Sequence, residues 1–121
     1  MKKLVLCVSV LFISLLSSAQ IMFQKSYGEF AVDFGQAMVQ TNDGGYCIVG
    51  GTGPDMIDST DALIIRTDID GNQVWSARLA GTKDDFITGI TTTDDGGFII
   101  VGNTYSSPLD TAYSDIVVMK I

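Results

Sequence analysis

The sequence predicts an all-β fold built from two copies of one four-stranded antiparallel unit. Three observations carry this. The stretch Asp43-Gly44-Gly45-Tyr46-Cys47-Ile48-Val49-Gly50-Gly51-Thr52 returns 52 residues later as Asp95-Gly96-Gly97-Phe98-Ile99-Ile100-Val101-Gly102-Asn103-Thr104. β-Branched residues fill the short apolar runs, and none after residue 19 keeps a 3.6-residue period over helix length. Asp-Gly dipeptides stand between the runs, where tight hairpins need a positive φ.

The duplication reaches well beyond that motif. At the same offset Phe23 matches Trp75, Asp33-Phe34 matches Asp85-Phe86, and Thr41 matches Thr93. After a two-residue insertion, Asp61-Ala62-Leu63-Ile64-Ile65-Arg66 matches Asp115-Ile116-Val117-Val118-Met119-Lys120. A period of this length marks a repeat architecture.

Taken in order, residues 1–19 read as a signal peptide. Lys2 and Lys3 precede an apolar run from Leu4 to Leu16, and Ser17-Ser18-Ala19 offers small residues for cleavage after Ala19. The run is too short for a permanent bilayer span. Cys7 lies inside it and not at the cleavage point, so it is no lipid-attachment site. A first repeat at 20–72 and a second at 73–121 follow. Strands are expected at 23–27, 34–41, 46–52 and 61–67, then again at 73–79, 86–93, 98–104 and 115–121. Turns fall at 42–45 and 94–97, longer loops carry Pro54 and Pro108, and Asp68-Ile69-Asp70-Gly71-Asn72 turns the chain into the second unit.

Apolar residues occupy both faces of the third and fourth strands. Phe98 and Ile100 oppose Ile99 and Val101, and Ile116 and Val118 oppose Val117 and Met119. A sheet with one wet face would alternate apolar and polar residues. Both faces here need cover, which four-stranded sheets stacked around an axis provide, as in a β-propeller.

The run from Asp61 through Asp68, Asp70-Gly71-Asn72 and Trp75, continued by Gly81, Asp84-Asp85 and Asp95 to Thr104, resembles bacterial secreted β-propeller repeats. The resemblance covers residues 23–121. Ala80-Gly81, Arg66 and Glu29 depart from the usual repeat, which affects loop detail. The resemblance implies propeller blades in an exported or surface-associated protein and no particular activity. Propellers close with about four to eight blades, so two units predict either a piece of a larger array or self-association into a ring.

Composition narrows the function. Without residues 1–19, Lys25, Arg66, Arg78, Lys83 and Lys120 face fourteen acids, thirteen of them Asp, for a net charge of −9. Such a surface does not suit nucleic acid. The chain has no histidine, which excludes a Ser–His–Asp triad and a histidine-ligated zinc within it. Cys47 is the only cysteine after the leader, so no internal disulfide is available.

Asp68, Asp70 and Asn72 form the one metal-like loop, with alternating oxygen ligands and a glycine suited to Ca²⁺. A hairpin turn whose aspartates cap backbone amides accounts for the same residues. No other cofactor is implied. Asp84-Asp85 and Asp94-Asp95 are paired in sequence, but neighbours on a strand point to opposite faces and make no catalytic dyad. Trp75 and Phe23 suit packing between sheets more than ligand stacking. The glycine pairs lack the lysine and helix of a phosphate loop. The expected role is an exported, non-catalytic binding or scaffold module whose loops contact a protein or glycan. The alternative is the propeller part of a larger secreted enzyme with its chemistry elsewhere.

Overall fold

The computed structural model describes residues 21–54, 60–106 and 113–121. Residues 1–19, which the sequence suggests as a signal peptide, and Pro108 lie outside them. The described chain is all-β, with two antiparallel sheets and no helix. Among the described residues no helix is long and apolar enough to cross a membrane. Its strands are β1 (Val32–Gln40), β2 (Tyr46–Gly53), β3 (Asp61–Thr67), β4 (Gln73–Leu79), β5 (Asp85–Thr92), β6 (Phe98–Thr104) and β7 (Asp115–Lys120). Sheet one runs β1-β2-β3-β4 and sheet two runs β5-β6-β7.

The Asp-Gly turns fold as their chemistry requires. Gly44, Gly71 and Gly96 have φ of 85°, 75° and 83°, a region open to glycine and costly for other residues. In each Asp-Gly-Gly turn a threonine carbonyl accepts from the glycine amide three residues on: Gly44 N donates to Thr41 O at 2.9 Å and Gly96 N to Thr93 O at 3.0 Å. The two copies even share an irregularity. Register shifts between Gly35 and Ala37 in β1, and at the equivalent place between Ile87 and Gly89 in β5. One extra residue there bends the strand.

Two strand expectations need correction. Gln73–Leu79 does not open the second sheet; it pairs with β3, Ile64 opposite Ala77 and Ile65 opposite Ser76. The cause is the turn at 68–72. Asp68 N donates to Asn72 O at 2.9 Å, and Gly71 N to Asp68 O at 3.2 Å. So short a connection returns the chain along the strand it has just left. Residues 23–27, the repeat partners of β4, form no strand. Among the described residues the two sheets therefore have four and three strands, not four each.

The sheets stack through opposite faces of the repeat. Cys47, Val49, Ala62 and Ile64 of sheet one form a single core with Ile87, Phe98 and Ile100 of sheet two. Cys47 and Val49 correspond to Ile99 and Val101 in the second copy, whereas Phe98 and Ile100 correspond to Tyr46 and Ile48. One face of the unit thus meets the reverse face of the next. Leu63 and Ile65, on the remaining face of sheet one, are still only 4% and 5% exposed. Segment 21–31 crosses that face. Phe23 meets the Tyr46 ring edge-on at 5.8 Å, Glu29 Oε1 accepts from Ser76 Oγ at 3.0 Å, and the Arg78 guanidinium sits 4.9 Å over Phe30.

Candidate functional site

Strand direction sorts the connections onto two ends. The tight turns at 41–45, 68–72 and 93–97 share one end. The junction at 80–84 and the longer connections after β2 and β6 share the other.

The tight-turn end is occupied by its own hydrogen bonds. Asp43 Oδ1 accepts from Thr41 Oγ1 at 2.5 Å and from Gly45 N at 3.2 Å, while both carboxylate oxygens meet Arg66 Nη2 at 2.6 Å. The second copy repeats the arrangement with Asp95, Thr93, Gly97 N and Lys120. Thus Asp43 and Asp95 tie each turn to the end of the neighbouring strand. The Thr41 hydroxyl, the Gly45 amide and Arg66 hold the Asp43 carboxyl at about 2. Lys120, Thr93 and the Gly97 amide hold Asp95 well below the usual carboxylate range.

A pKa lowered by folding adds stability above the unfolded value, and that stability is lost as pH falls through the folded value. The expected window therefore runs from the ordinary value of 3.8 down to about 2. Urea midpoints measured across that window should fall with acid. The Asp43→Asn/Asp95→Asn variant should show a flatter dependence, and a slope equal to wild type would refute the linkage.

Asp68, Asp70 and Asn72 do come together, within the β3–β4 turn. Asp68 Oδ1 accepts from the amides of Asp70 at 2.9 Å and Asn72 at 2.8 Å, and Oδ2 accepts from Asn72 Nδ2 at 3.0 Å. Lys25 Nζ stands 3.2 Å from Asn72 Oδ1, a cation already beside the amide oxygen that a metal would use. The Asn72 side chain and amide, then the Asp70 amide, lower the Asp68 pKa. These bonds account for the motif as a turn that caps itself. Among the described residues, no group of three or more His, Cys, Asp or Glu side chains is placed to hold a metal ion.

The sequence-adjacent aspartates go separate ways. Asp84 Oδ1 accepts from Thr60 N at 2.8 Å, whereas Asp85 Oδ2 accepts from Ser106 Oγ at 3.2 Å. Trp75 lies opposite Arg66 on the edge strand and is 39% exposed. Cys47 is fully buried between the sheets, and burial pushes its thiol up to about 11. That thiol is chemically quiet while the chain is folded.

The end with longer connections holds a cleft of about 320 Å³ between the two sheets. Ala62, Leu79, Phe86 and Val117 give it an apolar floor, and Asp85 and Asn103 are among its polar groups. The walls are fixed from both sheets. Asp85 N donates to Thr60 O at 2.7 Å and Tyr105 N to Asp84 O at 2.9 Å, while Ser106 Oγ accepts from Lys83 N at 3.0 Å. Sequence reading missed this cleft because its lining comes from five strands and a junction. Its one available signal was the departure Ala80-Gly81, small residues at the mouth. No protein-family model, curated protein or solved structure matches the chain.

Proposed function

We infer that the chain is an exported, non-catalytic repeat module of the β-propeller kind, a scaffold that contacts a protein or glycan at the end carrying its longer connections. Export rests on the leader at 1–19, and the propeller reading rests on the repeat and on stacking of one unit's face against the reverse face of the next. The observation that carries the binding role is the 320 Å³ cleft, an apolar floor with a few polar groups, held by both sheets. At the opposite end the carboxylates of Asp43, Asp95 and Asp68 are committed to Arg66, Lys120 and turn amides. The acidic surface fits a neutral or basic ligand better than a polyanion.

The test is a glycan array, together with a panel of surface proteins, probed with the labelled chain. Ala80 is exposed at the mouth of the cleft, so Ala80→Trp should fill it without removing a hydrogen bond. Binding to a defined glycan or protein, weakened about tenfold or more by that variant, is expected, a change of about 1.4 kcal/mol. No ligand on either panel, or one bound equally well by the variant, would overturn this assignment.

A further inference from the structure

The repeat leaves three places where the two copies differ, and one event removes all three differences. First, the face of sheet two equivalent to the packed face of sheet one is open. Ile99, Val101, Ile116 and Val118 are 39%, 38%, 78% and 64% exposed. Their counterparts Cys47, Val49, Ala62 and Ile64 are at most 3% exposed, covered by sheet two. Second, β7 is an edge strand, whereas its counterpart β3 carries β4. Third, segment 23–27, the counterpart of β4, pairs with no strand.

The segment is loosely seated where it lies. Among the described residues, no backbone–backbone hydrogen bond ties 21–31 to sheet one. Side-chain bonds such as Tyr27 Oη to Gly71 O at 2.6 Å hold it instead. A cavity of about 110 Å³ lined by Tyr27, Ile48, Leu63 and Ile65 remains beneath it. A cavity with a largely apolar lining forfeits packing energy that a closer partner would recover.

We propose that a second copy of this chain docks head to tail, donating segment 23–27 to β7 and laying its own sheet one on the open face of sheet two. The donated strand takes the place of β4, and the chain then passes through residues 28–31 into β1, as it passes through 80–84 into β5 within one molecule. The register follows from the β3–β4 pairs. Ile64 opposite Ala77 becomes Val118 opposite Lys25, and Leu63 opposite Arg78 becomes Val117 opposite Ser26. Displacing the segment uncovers Ile48, Leu63 and Ile65, the counterparts of Ile100, Val117 and Met119, which already cover a face of this chemistry inside one chain. The contact is heterologous, so repeated docking closes a ring or continues as an open chain.

The experiment uses the chain recovered after export through its own leader. Sedimentation velocity should give a mass at least twice that of one chain. Val118→Lys, which places a charge on a residue 64% exposed in the single chain, should return the mass to monomer and leave the β-sheet circular dichroism unchanged. A chain carrying Lys25→Cys, mixed with one carrying Val118→Cys and oxidised, should form a crosslinked heterodimer. A monomeric wild type, an oligomer indifferent to Val118→Lys, or no crosslink between the Lys25→Cys and Val118→Cys chains would each overturn the proposal.

Discussion

Ile100→Ala is expected to lower unfolding stability by about 2–5 kcal/mol, enough to unfold a substantial fraction of a marginal domain. Ile100 is fully buried in the single core that joins the sheets, together with Val49, Ile64 and Ile87. Truncation there loses transfer energy and leaves a cavity that two stacked sheets cannot readily close. The repeat supplies an internal control. Ile48→Ala removes the same atoms at the equivalent position, but Ile48 lines an existing 110 Å³ void under segment 21–31. Its cost should be the smaller of the two. Urea unfolding of both variants in the Val118→Lys background, which removes any contribution from self-association, provides the measurement. Equal losses would mean that the two copies bury their equivalent faces equally well, and the single asymmetric core would be wrong.

That asymmetry marks where sequence reading stops. The strands from β1 onward were legible because apolar residues stand on both faces and Asp-Gly turns separate them. Grouping the strands was a different matter. Trp75 and Phe23 occupy equivalent positions, and nothing local tells a strand that joins the preceding sheet from one that opens the next. The decisive signal was the brevity of the 68–72 turn, which leaves β4 no choice but to pair with β3. Residues 23–27 carry the same strand-forming pattern as β4, yet among the described residues no strand precedes them to pair with. Pairing is a property of the neighbour, so composition could not reveal its absence.

The candidate sites divide along the same line. Asp68, Asp70 and Asn72 were legible as a cluster because a turn brings near neighbours together, and the alternative of a self-capping turn rested on the same residues. The links from Asp43 to Arg66 and from Asp95 to Lys120 were also present as a pattern, an acid in each turn and a cation at the end of each fourth repeat strand. They explain why the charge persists while the residue changes from Arg to Lys. The cleft had no such signature. Its lining is assembled by strand order and by the junction at 80–84, and both depend on β4 belonging to sheet one. The bulges at Gln36 and Thr88 were equally hidden, since neither residue has a conformational preference that marks the site.

Those bulges set up the second large effect, at Gly102. A side chain built there would run into the carbonyl of Phe86 and the Cα of Ile87, and one at Gly50 would meet the Phe34 carbonyl and Gly35 in the same way. The obstacle is backbone, not the tip of a flexible side chain, so β5 itself must shift. Gly102→Ala is therefore expected to cost about 1–3 kcal/mol, the range for forcing atoms into a packed site. Gly102→Val, with two more carbons against the same carbonyl, should exceed it and loosen the β5–β6 ladder. Hydrogen exchange of the β5 amides would show that loosening directly. Gly35→Ala is the matched control: the same substitution in an equivalent sheet, but with no atom within 4 Å of the added carbon. Its unfolding free energy should stay within about 0.5 kcal/mol of wild type. Should Gly102→Ala behave like Gly35→Ala, the close approach of β5 to β6 would not be what reserves this position for glycine. The shared Val-Gly step at 49–50 and 101–102 would then need another cause. Should the two separate as expected, the same bulge and the same glycine act together in both copies. The repeat would then preserve a strand bend as well as a hydrophobic pattern.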